Sequence, residues 1–293
     1  MLQLRRFTIG FFLLMASFVM VSSAFAGQVH KVGPDLFAYI SSNDSSANST
    51  FLVSDAGILV VDTGLNQVEG KMLRDEIRKI SAAPVRWIVN THYHPDHMGG
   101  NSVFGSDATI ISTLFTREHV LRAPDRAPIS RSSFAMNVVV KSSMTLFVGG
   151  HPVEIYHPGP AHTMGDLVVY FPDQQTVATG DLFLTNSCPA MDEGDMENWI
   201  TALDHILALP VEHVVPGHFE LATKVDLGRF HDYLSELGKQ VREMRAKGMS
   251  LEQIKKGISL PQFNGFRQFP KYEATFADNA ESYYKQLTAR SRQ

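Results

Sequence analysis

Cysteine is all but absent from this chain: Cys188 stands alone among 293 residues. A single thiol excludes an internal disulfide and any zinc site built from several cysteines, so the apolar core alone must stabilise the fold. A surplus of positive charge is also missing. Lysine and arginine number 26 against 30 aspartates and glutamates, a formal net charge of -4. That argues against a nucleic-acid partner, because such proteins carry a basic excess on the binding face. There is no low-complexity tract and no repeat at a solenoid period. The apolar run Phe7–Val21 is shorter than the roughly 20 residues a membrane span needs. Arg5 and Arg6 precede it and Ala24-Phe25-Ala26 follows as a small-x-small cleavage signal, so residues 1–26 read as a signal peptide. The expected mature chain begins near Gly27, in the periplasm or secreted, with no stable membrane anchor. The stretch around the cleavage point has no cysteine to take a lipid.

What is present is an ordinary globular composition, 44% hydrophobic and 19% charged. Short apolar or β-branched runs predict strands at Leu36–Ile40, Ser49–Ser54 and Ile58–Asp62. The polar stretch from Ser41 to Ser46 predicts a mobile hairpin tip between the first two. Val68, Met72, Leu73, Ile77 and Ile80 recur at helical spacing, and Pro84 ends that element. A short buried strand, Trp87-Ile88-Val89, follows. Further strands are predicted at 107–112, 144–148, 153–157, 167–171, 176–179 and 214–215, with helices over 113–122 and 196–209 and mostly helix after Ala222. Strands followed by a helix, given twice, predict an α/β fold: an αββα sandwich of two mixed sheets with helices outside.

The chemistry concentrates in Thr91-His92-Tyr93-His94-Pro95-Asp96-His97-Met98-Gly99-Gly100, directly after a buried strand. His92 and His94 are alternate residues, so extended backbone sends both imidazoles to the same side, where they can grip one ion. Asp96 and His97 follow as the chain turns past Pro95 and aim at a neighbouring position. Gly99 and Gly100 permit close backbone approach behind the site. Imidazole and carboxylate ligands suit zinc and admit iron, manganese or cobalt. Histidine and aspartate clustered at this spacing signal a metal site rather than a polar surface loop.

This segment resembles the signature of the metallo-β-lactamase-fold superfamily, in the variant shared by glyoxalase II-like thioesterases and lactonases. Four further motifs occur in that family's order: Asp62 in Val60-Val61-Asp62-Thr63-Gly64, His162 in Gly159-Pro160-Ala161-His162-Thr163, Asp181 in Thr179-Gly180-Asp181-Leu182-Phe183, and His218 in Val215-Pro216-Gly217-His218. The resemblance covers roughly Val29 to Glu220. It implies that His92, His94 and His162 hold one zinc ion, that Asp96, His97 and His218 hold a second, and that Asp181 bridges them. Asp62 is implied as a structural residue behind the ligands. Asp96 has a second implied role, orienting the attacking water or taking its proton. His30, His119, His151, His157, His205, His213 and His231 match no motif and read as structural or solvent-facing. Flavodiiron-type members carry glutamate where this chain has His94, so hydrolysis is implied rather than redox chemistry. The expected organisation is residues 1–26 as signal, 27–222 as the hydrolase domain, and 223–293 as a helical extension packed on it.

The resemblance implies an exported dinuclear zinc hydrolase for a small-molecule carbonyl ester, thioester, lactone or lactam. A β-lactamase proper, a phosphodiester hydrolase and a non-catalytic accessory protein are the rivals. Glyoxalase II holds glutathione with basic residues, but Lys255, Lys256, Arg267 and Lys271 do not match its pattern. The best-known lactamase groups place cysteine or serine at the Asp181 position and a lysine shortly after; here Leu182-Phe183-Leu184-Thr185 follows. Cys188 is displaced from that position and is expected to pack as a small hydrophobe. The basic stretch with Arg117, Arg122, Arg126, Arg131 and Lys141 is expected either to bind an acidic substrate or to be a flexible surface loop. Phe263, Phe266, Phe269, Tyr272 and Phe276 either wall the pocket or belong to a core.

Overall fold

The computed structural model describes residues 27–122 and 136–291. The expected signal peptide, and Arg126 and Arg131 of the basic stretch, lie outside the described residues. Seven strands form the first sheet. β1 (Gln28–Lys31), β2 (Leu36–Ile40), β3 (Ser49–Ser54) and β4 (Gly57–Val61) make an antiparallel meander; β5 (Val85–Val89), β6 (Thr109–Thr113) and β7 (Met136–Val140) continue parallel to β4. In the second sheet β8 (Ser143–Val148), β9 (His151–Tyr156), β10 (Val168–Phe171) and β11 (Thr176–Ala178) are antiparallel neighbours, and β12 (His213–Val215) joins β11 in parallel. Both sheets are therefore mixed, as the sequence predicts.

Alternation along each strand sorts the side chains into layers. Leu59 and Val61 of β4 meet Val169 and Phe171 of β10 in the core between the sheets. Ile58 and Val60 face the other way, toward α1 (Gln67–Ile80), and pack on its Leu73 and Ile77. On the outer face of the second sheet, Val168, Tyr170 and Val214 pack beneath α4 (Met196–Ala208), α5 (Lys224–Ala246), α6 (Leu251–Gly257) and α7 (Phe276–Arg290). That four-layer order is the αββα sandwich. Strands buried on both faces read as unbroken apolar runs, which is why β4 and β10 carry no polar residue.

Local chemistry starts the helices. The Asn66 side chain accepts from the Val68 and Glu69 amides at the start of α1, and Asp195 accepts from the Asn198 amide at the start of α4. Thr223 and Asp226 form a capping box on α5. The end of α7 is tied back to the start of α4 by an Arg290–Asp195 ion pair, and Tyr283 donates to Glu197 over 2.5 Å.

Two details differ from expectation. β7 falls inside the basic stretch expected either to bind an acidic substrate or to be a flexible surface loop, because its own Val138-Val139-Val140 extends the sheet beside β6. Val68 and Ile80 are 60% and 40% exposed rather than on the core face of α1. At 3.6 residues per turn Val68 lies far round the helix from Leu73, and Ile80 is the helix's last residue. Among the described residues no helix is long and apolar enough to cross a membrane.

Trp199 of α4 is fully buried and donates its indole N–H to the Leu182 carbonyl over 2.8 Å. Trp199→Ala is expected to cost about 3–5 kcal/mol of stability, from the emptied volume and the abandoned carbonyl. Urea unfolding measures it, and a loss below about 1 kcal/mol would contradict this packing.

Candidate metal centre

The carboxyl ends of the central strands converge on one edge of the sandwich. Asp62 follows β4, the histidine segment follows β5, Asp181 follows β11 and His218 follows β12; His162 lies on the connection between β9 and β10. Ligand sites in open α/β sheets lie at such strand ends. α2 (Pro95–Met98) turns Asp96 and His97 away from His92 and His94, with Pro95 at its first position. Gly99 and Gly100 meet the expectation of close approach: a Cβ on Gly99 would lie 2.0 Å from the Leu65 carbonyl oxygen, and one on Gly100 2.2 Å from that of Thr63.

All seven residues named from the sequence come together, in two groups. His94 Nδ1 lies 2.9 Å from His92 Nε2 and 3.2 Å from His162 Nε2. In the second group His218 Nε2 is 3.0 Å and His97 Nε2 3.5 Å from Asp96 Oδ2. Asp181 reaches both groups with different oxygens. Its Oδ2 lies 3.5 Å from His162 Nε2 and 4.0 Å from His92 Nε2, and its Oδ1 lies 3.2 Å from His97 Nε2 and 3.6 Å from His218 Nε2.

Asp62 is no member of either group and acts behind them. Its Oδ1 accepts from the Thr91 amide at 2.9 Å, and its Oδ2 accepts from the Thr91 hydroxyl and from His97 Nδ1, each at 2.7 Å. That network assigns the His97 proton to Nδ1 and leaves Nε2 with a free lone pair. The Thr91 hydroxyl, having donated to Asp62, can accept from His92 Nδ1 at 3.1 Å, which frees His92 Nε2 in the same way. His97 Nε2 and Asp181 Oδ1 are buried without a hydrogen-bond partner. Buried polar atoms of that kind call for a ligand, and the converging imidazole nitrogens and carboxylate oxygens are the donor set that divalent transition metals prefer. The residues fit a pair of metal ions.

Charge is arranged to match. Burial holds His92, His94 and His162 below the ordinary histidine range, His162 at about 3, so these imidazoles stay neutral with lone pairs available. Burial also pushes His97 and His218 downward, but Asp181 and its neighbouring carboxylates overcome it and raise both, so without an ion these imidazoles hold a second proton that a metal ion would displace from Nε2. Asp181 and Asp96 are raised by burial and lowered more strongly by the adjoining histidines, so both remain ionised.

Several supporting residues carry no strong local signal in the sequence. Asn48 lies two residues after the Ser41–Ser46 stretch expected as a mobile tip. Its amide donates to the Gly217 carbonyl, and its side chain donates to the Pro216 and Phe219 carbonyls, pinning that loop beside His218. Ser46, Ala47 and Asn48 are buried, so the root of the loop belongs to the site. Asp166 accepts from the Thr163 amide and hydroxyl and so shapes the turn that presents His162; the T-x-x-D spacing was the available signal. A Cβ on Gly217 would lie 1.9 Å from Asp181 Oδ1, so only glycine leaves that carboxylate in place. Cys188 is buried in the core, where burial pushes its thiol up to about 12, and it also borders the cavity over the site.

The expected acidic-substrate clamp is not found among the described residues. Arg117 donates to the Met136 carbonyl, tying α3 (Leu114–Arg122) to β7; Arg122 pairs with Glu118; Lys141 is exposed on a turn. None of them lines the cavity. The aromatic series divides: Phe263 and Phe266 are buried in the helical core with Phe276 against it, whereas Phe269 and Tyr272 line the cavity.

The model of the metallo-beta-lactamase superfamily matches residues 43–218, and the chain belongs to that superfamily, as a metal-dependent hydrolase. Metallo-beta-lactamase type 2 of Elizabethkingia meningoseptica is 27% identical over 220 residues, covering 71% of this chain and 85% of the relative. A metallo-beta-lactamase from Pontibacter korlensis superposes with a TM-score of 0.61 at 21% identity, over 71% of this chain and 99% of the other. The stereoselective inverting sec-alkylsulfatase from Pseudomonas sp. superposes with a TM-score of 0.73 at 17% identity, over 89% of this chain. The present chain spans only 50% of that sulfatase. Coverage of 89% must run well past residue 222, so that likeness takes in part of the C-terminal helical region.

Asp62→Asn keeps the shape of the side chain but cannot accept at both oxygens. Zinc affinity measured by competition with a chromogenic chelator is expected to fall about 10- to 100-fold. Wild-type affinity in a folded variant would remove Asp62 from this role.

Proposed function

We propose that the protein is an exported dinuclear zinc hydrolase of small molecules that opens a carbonyl ester, thioester, lactone or lactam. The observation that carries this reading is the Asp181 carboxylate with one oxygen in each ligand group, facing a cavity of about 410 Å³. His92, His94, His162 and Asp181 would hold one ion, and Asp96, His97, His218 and Asp181 the other. Bound there, two zinc ions supply Lewis acidity that polarises a carbonyl and brings water close to ionisation at neutral pH.

The protein's own groups do the rest. Asp96 lines the cavity with Oδ2 engaged by His218 and His97, which leaves its second oxygen to orient water and accept its proton. Asp62 and Thr91 hold His97 and His92 rigidly, so the ligand cage is formed before substrate arrives. Hydrolysis adds water to the acyl carbon and breaks its bond to oxygen, sulfur or nitrogen. Water's hydroxyl joins the acyl carbon and its other proton goes to the departing oxygen, sulfur or nitrogen, giving the acid and the alcohol, thiol or amine.

Export is supported by the charged, apolar and small-residue pattern of residues 1–26. The relative from Elizabethkingia meningoseptica supports a lactam among the candidate substrates. Against a lactamase proper stands Leu182-Phe183-Leu184-Thr185, which has no lysine where the lactamase groups carry one.

Purified protein is expected to hold two zinc ions per chain by elemental analysis, lose turnover on chelation and regain it with added zinc. His94→Ala should lower both metal content and activity by orders of magnitude. Thioester, lactam and phosphodiester substrates assayed side by side then name the reaction. Near-normal turnover by folded His94→Ala protein would refute the scheme.

A further inference from the structure

The cavity over the metal-ligand groups is lined unevenly. Asp96, Asp181, His94, His162 and His218 form its floor, while Leu65, Leu184, Phe219, Phe269, Tyr272 and Ala274 supply apolar walls. Phe219 and Phe269 lie parallel, with centroids 5.8 Å apart and planes within 2°. Among the described residues no lysine or arginine lines the cavity, and the charged side chain it meets outside the ligand set is Asp44.

The basic residues of the C-terminal region stand outside this lining. Arg267 sits with its guanidinium 4.5 Å from the Phe219 centroid, where it donates to the Thr185 carbonyl and pairs with Glu220. Lys255 pairs with Glu281. Lys271 lies 5.5 Å from the centroid of Tyr272, a residue 56% exposed, and does not itself line the cavity. A carboxylate or phosphate on the distal half of a substrate would leave water for apolar walls and an aspartate, with no cation in the lining to pair it. An alkyl or aryl chain would instead gain from leaving water.

We propose that this site takes substrates whose acyl chain is apolar and uncharged, selected by the wall of Phe219, Phe269 and Tyr272. The inference rests on the hydrolase reading above and names its substrate class. Phe269 and Tyr272 stand beyond residues 43–218, so selectivity is supplied by a segment outside the part that matches the superfamily.

The test compares zinc-loaded protein on p-nitrophenyl acetate, butyrate and hexanoate with the p-nitrophenyl monoester of adipic acid, which matches hexanoate in length but ends in a carboxylate. The value of kcat/KM should rise about two- to fourfold per added methylene and fall at least about tenfold on the carboxylate-ended ester. Phe269→Ala should flatten the chain-length series, and Phe269→Lys should shift the hexanoate-to-adipate ratio toward adipate. A parallel NMR titration of metal-free protein should show hexanamide binding more tightly than adipamic acid. A flat series in the unaltered protein, or a preference for the carboxylate-ended ester, overturns the proposal. If no ester is turned over, the ester branch of the hydrolase reading fails by itself; equal binding of the two amides overturns the wall whatever the reaction.

Discussion

Asp181 places one carboxylate oxygen beside His92, after β5, and His162, after β9, and the other beside His97, within α2, and His218, after β12. Everything else at the site accommodates that buried anion. A carboxylate so deeply enclosed is tolerable because His97 and His218, both raised by their carboxylate neighbours, supply compensating charge. Gly217 leaves room for it, and the turn from Gly180 to Leu182 presents it. The ligands come from both sheets, so the sandwich must assemble before either group is complete.

A second layer of interactions fixes the direction of each imidazole. Asp62 adopts a left-handed backbone, with φ of 56°, immediately after β4. Local strain of that kind persists where surrounding structure requires it. Here the turn brings one carboxylate to the Thr91 amide, the Thr91 hydroxyl and His97 at once. The hydroxyl passes the constraint on to His92. Two ligand groups thus share one anchor, and the rigidity of the parallel strands becomes rigidity of the ligands.

The region after residue 222 has both a structural and a functional face. α5, α6 and α7 cover the outer side of the second sheet with Leu227, Phe230, Tyr233 and Leu234. The segment between α6 and α7 brings Phe269 and Tyr272 over the ligand groups. A short span therefore joins core packing to the wall of the cavity. Within that span Arg267 is paired with Glu220, and Lys271 lies over the Tyr272 ring.

The sequence by itself determined the sandwich class, most of the strands, and the run from His92 to His97. It could do so because side-chain alternation, helical spacing and the His-x-His-x-Asp-His run are local patterns set by backbone geometry. His162, Asp181 and His218 carry no such local pattern and are named only through the resemblance to the superfamily's ordered motifs. The same locality misled at Val68 and at the loop before Asn48. Val68 is apolar enough for the core yet faces solvent, and the loop is polar enough to be free yet is buried at its root. Tertiary structure alone decided that Asn48 pins the loop beside His218, that Arg117 braces β7 rather than a substrate, and that Phe269 lines the cavity while Phe266 enters the core. Those outcomes depend on which segments meet across 19 to 171 residues of chain. A local pattern fixes the direction of a side chain, and only the packed sheets fix what stands in front of it.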